Sequence, residues 1–167
     1  MQLPPYAHKL VGHDFIIGDN PRVNAQFSAQ YCVANAIVRR ESTLANFVPI
    51  NVRDPALTDL IPRIAVEPVS AMEARHHTAV DLEVMNDDGQ LHRASLDIAP
   101  GFPDNELSGQ EHRERFESCL DYANTGWDST HRVQLLDTIL SVQDMDDVRG
   151  LIRLCTRAAQ SPMKPLP

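Results

Sequence analysis

The stretch from Asn20 to Arg40 constrains the fold more than any other part of the chain. Asn20 followed by Pro21 is typical of a helix start, and residues at helical spacing form an apolar face, Val23, Phe27, Tyr31, Ala34 and Val38. A second face carries small side chains, Ala25, Ser28, Ala29, Cys32 and Ala36. Small side chains let neighbouring elements approach closely, so we predict a single helix of about five turns at the centre of the fold.

The polar residues of this stretch are neutral amides, Asn24, Gln26, Gln30 and Asn35, and no charge lies between Arg22 and Arg39. Solvated helix faces normally carry Lys and Glu. Uncharged amides therefore indicate either buried hydrogen bonding or contact with a partner surface.

Composition restricts the classes of partner. The 167 residues carry a net charge of −8, which argues against nucleic acid as a partner. The three cysteines are far apart and their spacing fits no zinc motif, so we expect reduced thiols, no metal and a cytoplasmic protein. The sequence contains no apolar run of membrane-spanning length, so we expect no membrane partner.

Local signals predict the elements before the hairpin. Pro4 and Pro5 favour an extended segment, with a strand to follow over residues 7–11. Asp54 followed by Pro55 is typical of a helix start, and the short helix should end before Pro62. The alternation over residues 63–69 predicts a strand.

The clearest β signal is a hairpin formed by residues 77–85 and 91–98, with Asp88-Gly89 in its turn. Alternation of apolar and polar residues predicts one buried and one solvated face in each strand. Three helices should follow, over residues 108–122, 130–141 and 144–158. The fold class predicted is α+β, an antiparallel sheet with a long central helix packed on it and three C-terminal helices.

Four landmarks resemble those of the MmgE/PrpD family, and they stand in the family's order over about residues 10–155. They are the helix motif Ala25-Gln26-Phe27-Ser28-x-x-Tyr31-x-x-Ala34-x-Ala36, then Asp54-Pro55, Asp88-Gly89, and Gly101-Phe102-Pro103-x-Asn105-x-Leu107-Ser108. The family includes 2-methylcitrate dehydratase, cis-aconitate decarboxylase and iminodisuccinate epimerase. The resemblance implies no obligatory cofactor and a small di- or tricarboxylate substrate.

The same resemblance implies a C-terminal portion that begins partway into the family's second domain. Residues 1–107 would be the small α+β domain with its first strand truncated, residues 108–158 the C-terminal helices and residues 159–167 a disordered tail. The family's catalytic His and Lys residues lie mostly upstream and have no matching positions here. They would come from a helical-domain partner chain or from a missing domain.

Within this chain His13 is the candidate catalytic residue. In the decarboxylase branch an active-site tyrosine lies at a similar distance before the helix tyrosine, so His13 could bind substrate or transfer a proton. Gln26, Ser28 and Tyr31 either line the cleft or serve the helix structurally. His76 and His77 would point to opposite sides of an extended strand and are not expected to share a metal ion.

Two functions stay open at this point. The chain is either one wall of the cleft of a lyase or isomerase, or a non-catalytic module for dimerisation or structural support. A homo-oligomer or a complex with a helical-domain chain is expected in either case, because the helix 20–40 has a face to cover. A small ferredoxin-like binding module fits the order of elements but has no ligand motif behind it.

Overall fold

The computed structural model describes residues 1–156, and the chain divides after Ser108 into two units. Unit 1 contains four strands, β1 Gln2–Leu3, β2 Glu67–Pro68, β3 Val80–Met85 and β4 Leu91–Leu96. Its α-helices are α1 Pro5–Val11, α2 Pro21–Gln26, α3 Ala29–Arg39, α4 Pro49–Val52 and α5 Pro55–Thr58. Short 3-10 helices cover Leu44–Phe47, Ile61–Arg63 and Ser70–Ala74. This mixture confirms the α+β class.

The four strands form one sheet in the order β2-β1-β3-β4. The β3–β4 hairpin runs without interruption from the Val80–Leu96 pair to the Met85–Leu91 pair, and it confirms the predicted hairpin. The pairs β1–β3 and β3–β4 are antiparallel, whereas β1 and β2 run parallel. The antiparallel prediction is therefore mostly right.

The hairpin is less buried than its alternation predicts. Val80, Leu82 and Val84 on β3 are half-buried, but every residue of β4 is exposed. The prediction that β4 has a buried face is therefore wrong. Alternation fixes which side chains share a face, but the covering layer comes from elsewhere in the fold.

The N-terminal segment differs from the prediction. Pro4 is extended, as expected for a residue before proline, but Pro5 opens the helix α1 instead of a strand. Proline is tolerated in the first turn because its missing N–H would have no partner inside the helix there. The strand predicted over residues 63–69 is also mostly wrong, because only Glu67–Pro68 pairs with β1.

The central helix is broken in two. Phe27 ends α2, and the backbone of Ser28 is extended. The Ser28 side-chain oxygen accepts a hydrogen bond from the Tyr31 N–H at 3.2 Å. Serine competes with the helical backbone in this way, so it starts a new helix where the periodicity predicted a continuous one. Of the small face only Ala25, Ser28 and Ala29 are buried, whereas Cys32 and Ala36 are exposed. On the apolar face Phe27 is 64% exposed.

The core of unit 1 surrounds α3 and the short helices that follow it. Its fully or nearly buried members are Ala25, Tyr31, Ala34, Val52, Leu57 and Ile61, and Phe15, Phe47, Leu60 and Ile64 pack against them. The predicted start of α5 is confirmed, since the Asp54 side chain accepts from the Ala56 N–H at 3.0 Å.

Unit 2 contains α6 Gly109–Ala123, α7 Ser129–Leu140, a 3-10 turn at Val142–Asp144 and α8 Arg149–Cys155. Leu135 and Leu136 are buried, and the His131 ring donates through Nε2 to the Leu154 carbonyl at 2.9 Å, which joins α7 to α8. The end of the last predicted helix and the predicted tail lie outside the described residues.

We expect Ser28→Ala to lower the free energy of unfolding by about 1 kcal/mol, because α3 would lose the acceptor at its N-terminus. Denaturant unfolding monitored by circular dichroism would measure this. Ser42→Ala is the matched control, since Ser42 is exposed and precedes a 3-10 helix without starting an α-helix. Equal stability of the two variants would contradict a capping role for Ser28.

Candidate functional site

His13 lies in the loop between α1 and α2, and its side chain is exposed. Its ring Nε2 is 3.0 Å from the Lys9 carbonyl oxygen. A carbonyl can only accept, so Nε2 carries the proton and Nδ1 holds the lone pair of the neutral ring. The loop therefore fixes one ring nitrogen and leaves the other as the basic atom.

Two further basic side chains accompany His13. The His8 ring lies edge-on to the His13 ring, with 6.0 Å between the ring centroids, and Lys9 is exposed on the same last turn of α1. Gly12 makes this arrangement possible, because a Cβ there would lie only 2.7 Å from the His8 Cγ and 2.8 Å from the His8 carbonyl oxygen. The result is a small basic cluster, His8, Lys9 and His13, on a protein that is acidic overall.

Large apolar side chains are exposed on the elements that flank this basic cluster. Tyr6 and Leu10 share one face of α1, and Val23 and Phe27 lie one helical turn apart at the end of α2. Ile16, in the loop that carries His13, is also exposed. These exposed apolar side chains therefore precede and follow His13 in the sequence.

The other predicted site residues serve different purposes. Tyr31 is fully buried between Phe15 and Phe47, with ring centroids 5.5 Å from each, and its hydroxyl donates to the Asn46 carbonyl at 2.5 Å. Ser28 is also buried, as the start of α3, whereas Gln26 is exposed at the end of α2. These contacts favour the structural alternative for Ser28 and Tyr31.

A buried polar network around Arg39 was not predicted. The guanidinium donates to the Asn35 side chain, the Asn51 carbonyl and the Asp54 carboxylate, each at 2.9 Å, and lies 3.5 Å from the Tyr31 hydroxyl. Only 16% of the Arg39 side chain is exposed. Both terminal nitrogens donate within the protein, so this arginine has a structural role here and is a poor candidate for a substrate clamp.

The amides of α3 follow the same logic. Gln30 accepts from the Phe15 N–H at 2.7 Å and donates to the Ile64 carbonyl at 2.8 Å. Asn35 donates to the Glu41 carbonyl at 2.8 Å. For Gln30 and Asn35, the explanation that holds is buried hydrogen bonding and not contact with a partner surface.

The groove between α3 and the β3–β4 hairpin has a volume of about 1010 Å³. Val33, Ile37, Ile64 and Leu82 are among its apolar lining residues. Its charged lining residues are two arginines and four acids, Arg63, Arg93, Glu67, Asp81, Glu83 and Asp87. An excess of carboxylates repels a di- or tricarboxylate, so the groove is a poor candidate for such a substrate.

Charged side chains also meet at the base of the hairpin. Arg75 donates to both oxygens of Asp81, at 3.0 and 2.9 Å, and pairs with Asp97. Hydrogen bonds from the Ser95 hydroxyl and then from Arg75 hold the pKa of Asp81 below its usual value. The pKa of Arg75 is raised, chiefly by its hydrogen bonds to Asp97 and Asp81.

His76 and His77 precede the hairpin in a turn and not in an extended strand. Their ring centroids are therefore only 4.0 Å apart, and Phe102 contacts both rings with its centroid 5.4 Å from each. The expectation that they point to opposite sides is wrong. Over residues 1–156, no group of three His, Cys, Asp or Glu side chains is arranged to hold a metal ion.

The basic cluster thus belongs to an α+β unit that covers the first 108 residues. Comparison with family models identifies the chain: residues 1–136 match the MmgE/PrpD C-terminal domain, and the chain belongs to the MmgE/PrpD family. No curated protein matches it. In the described part of the chain, every helix is too short or too polar to cross a bilayer.

We expect Tyr31→Phe to lower the free energy of unfolding by about 1–2 kcal/mol, because the buried Asn46 carbonyl would lose its donor. Tyr6→Phe is the matched control, since Tyr6 is 63% exposed. Thermal and denaturant unfolding of both variants would measure the difference. A Tyr31→Phe variant as stable as Tyr6→Phe would contradict the role of this hydroxyl.

Asp81 should make the free energy of unfolding depend on pH in the acid range. A carboxyl whose pKa is lowered by folding contributes stability above its unfolded pKa, near 3.8, and this contribution is lost as the pH falls through its folded pKa. We expect Asp81→Asn to be less stable than the wild type at neutral pH and to lose less stability below pH 3.8. Asp87→Asn, on the exposed turn of the same hairpin, should keep the wild-type acid dependence. Identical pH profiles for Asp81→Asn and the wild type would refute the assignment.

Proposed function

We propose that this chain forms one wall of the substrate cleft of a cytoplasmic MmgE/PrpD-type lyase or isomerase that acts on a small di- or tricarboxylate. The observation that carries the proposal is the His13 ring, held through Nε2 by the Lys9 carbonyl and exposed beside two further basic side chains. Family membership supports the reaction class. The groups across the cleft from this wall would determine whether the reaction is dehydration, decarboxylation or epimerisation.

His13 would act on the proton that these reactions move. Abstraction of a proton next to a carboxylate needs a base, and an imidazole can accept and return a proton near neutral pH. Nδ1 is the atom that takes the proton, because Nε2 already donates to Lys9. Lys9 would supply the local positive charge that a substrate carboxylate requires on a chain of net charge −8, and the His8 ring could donate a hydrogen bond to it.

The opposite wall would be a helical domain of the family, in a partner chain or elsewhere in the same enzyme. The exposed Tyr6, Leu10, Ile16 and Phe27 would pack against it and exclude water from the cleft. The resemblance assigns the remaining catalytic His and Lys residues to that domain. In this arrangement the present chain is needed for turnover but does not suffice for it.

The alternative is a non-catalytic module for structural support or dimerisation. The acidic lining of the groove favours it, because a cavity of about 1010 Å³ with this lining does not suit a carboxylate substrate. The burial of Ser28 and Tyr31 favours it as well, since two of the family motif's polar residues face the core.

The test is turnover of 2-methylcitrate and cis-aconitate by the full chain, alone and with a candidate helical-domain partner. We expect activity only in the mixture. His13→Gln should lower kcat by about 10²-fold or more, because glutamine can still donate to the Lys9 carbonyl but offers no basic nitrogen. KM should change little, since the loop keeps its anchor.

His112→Gln is the matched control, an exposed histidine of α6 in unit 2, and it should turn over at the wild-type rate. Full activity of His13→Gln in the mixture would remove His13 from the chemistry. Absence of turnover for both substrates with every partner that binds would favour the non-catalytic module.

A further inference from the structure

The main chain of the loop that carries His13 is bound by side chains of the helices that follow it. The loop covers residues 12–20, between the end of α1 and the start of α2. Over the described residues 1–156, the main chain of residues 13–19 forms no hydrogen bond with another main-chain group. Main-chain groups that leave water need a partner, so the conformation of this loop depends on side chains that reach it from other elements.

Asn24 binds the second half of the loop. It is a half-buried residue of α2, and its amide nitrogen donates to the Ile16 carbonyl at 3.1 Å and to the Ile17 carbonyl at 2.9 Å. Both hydrogens of one NH2 group are thus used on consecutive loop residues. Gly18 fits this contact, because its φ is +57° and a Cβ there would lie only 2.6 Å from the Asn24 amide nitrogen.

Gln30 binds the first half of the loop. Its side-chain oxygen accepts from the Phe15 N–H at 2.7 Å, and its nitrogen donates to the Ile64 carbonyl at 2.8 Å. The Phe15 ring packs against the Tyr31 ring, with 5.5 Å between the ring centroids. The loop is therefore joined to the core of unit 1 two residues after His13.

We propose that Asn24 is a positioning residue for His13: together with Gln30 it holds the main chain of residues 15–17, and so fixes the loop in the conformation that presents the His13 ring. The Lys9 carbonyl holds the ring itself, and the two amides hold the chain that leads away from it. A reacting group displaced by about 1 Å can lose about 100-fold in rate, so an exposed base on a loop depends on such contacts. The part of this role that concerns turnover rests on the function proposed above.

Asn24→Asp tests the contact in the full chain without substrate. Aspartate has the shape of asparagine but only acceptor oxygens when ionised, so it would set a carboxylate against two carbonyl oxygens. We expect the 15N order parameters of residues 13–19 to fall from about 0.85 in the wild type to below about 0.6 in the variant. Asn20→Asp is the matched control, because it makes the same charge change and aspartate still accepts from the Val23 N–H.

Gly18→Ala should release the loop from the other side of the contact, since the added methyl group would displace the Asn24 side chain. Gly89→Ala is its control, because Gly89 also has a positive φ, +82°, but a Cβ there would meet no atom within 4 Å. Thermal unfolding of all four variants would check that unit 1 stays folded. A loss of order confined to residues 13–19 distinguishes positioning of the loop from general destabilisation.

Turnover in the mixture with a helical-domain partner tests the consequence for His13. Asn24→Asp should lower kcat for 2-methylcitrate or cis-aconitate by about tenfold or more while KM changes little, because the base is present but no longer held in position. Asn20→Asp should turn over at the wild-type rate.

Two results would overturn the proposal: a loop as ordered in Asn24→Asp as in the wild type, or a wild-type kcat from a variant whose loop has lost its order. A wild-type mixture that turns over neither substrate would count against the proposed function alone, because the order parameters decide without substrate whether Asn24 holds the loop.

Discussion

The hydrogen bonds of the Arg39 guanidinium hold the helical part of unit 1 together. The guanidinium joins the last turn of α3 to the Asn51 carbonyl of α4 and to Asp54, whose other carboxylate oxygen caps α5. A buried arginine without these acceptors would carry an uncompensated charge. The short helices after α3 are too short to be stable alone, so their positions follow from this one side chain and from the apolar core beneath it.

Signals that lie close together in the sequence predicted structure well. The Asp54-Pro55 start of α5 and the hairpin around Asp88-Gly89 need only a few residues each, and both are confirmed. The break at Ser28 was missed because helical periodicity continues across it, and the choice between a continuous helix and a new start depends on what surrounds the serine. The helix at Pro5 was missed because proline can end an extended segment or open a helix.

The candidate site also contains features that the sequence predicted and features that it did not. His13 could be selected from its position in the family pattern, but the hydrogen bond that determines its proton position comes from the preceding helix, which the sequence did not predict. The Arg39 network could not be predicted, because its partners lie up to 15 residues away and meet only in the folded state. Motif residues such as Tyr31 can therefore maintain the scaffold of a site without touching substrate.

The sheet keeps the basic cluster and the β4 edge apart. Helix α1, which leads to His13, packs beside β2 and the 3-10 helix Ser70–Ala74, whereas β4 lies at the other end of the order β2-β1-β3-β4. A contact made at the outer edge of β4 would therefore lie at the far end of the sheet from the helix that leads to His13.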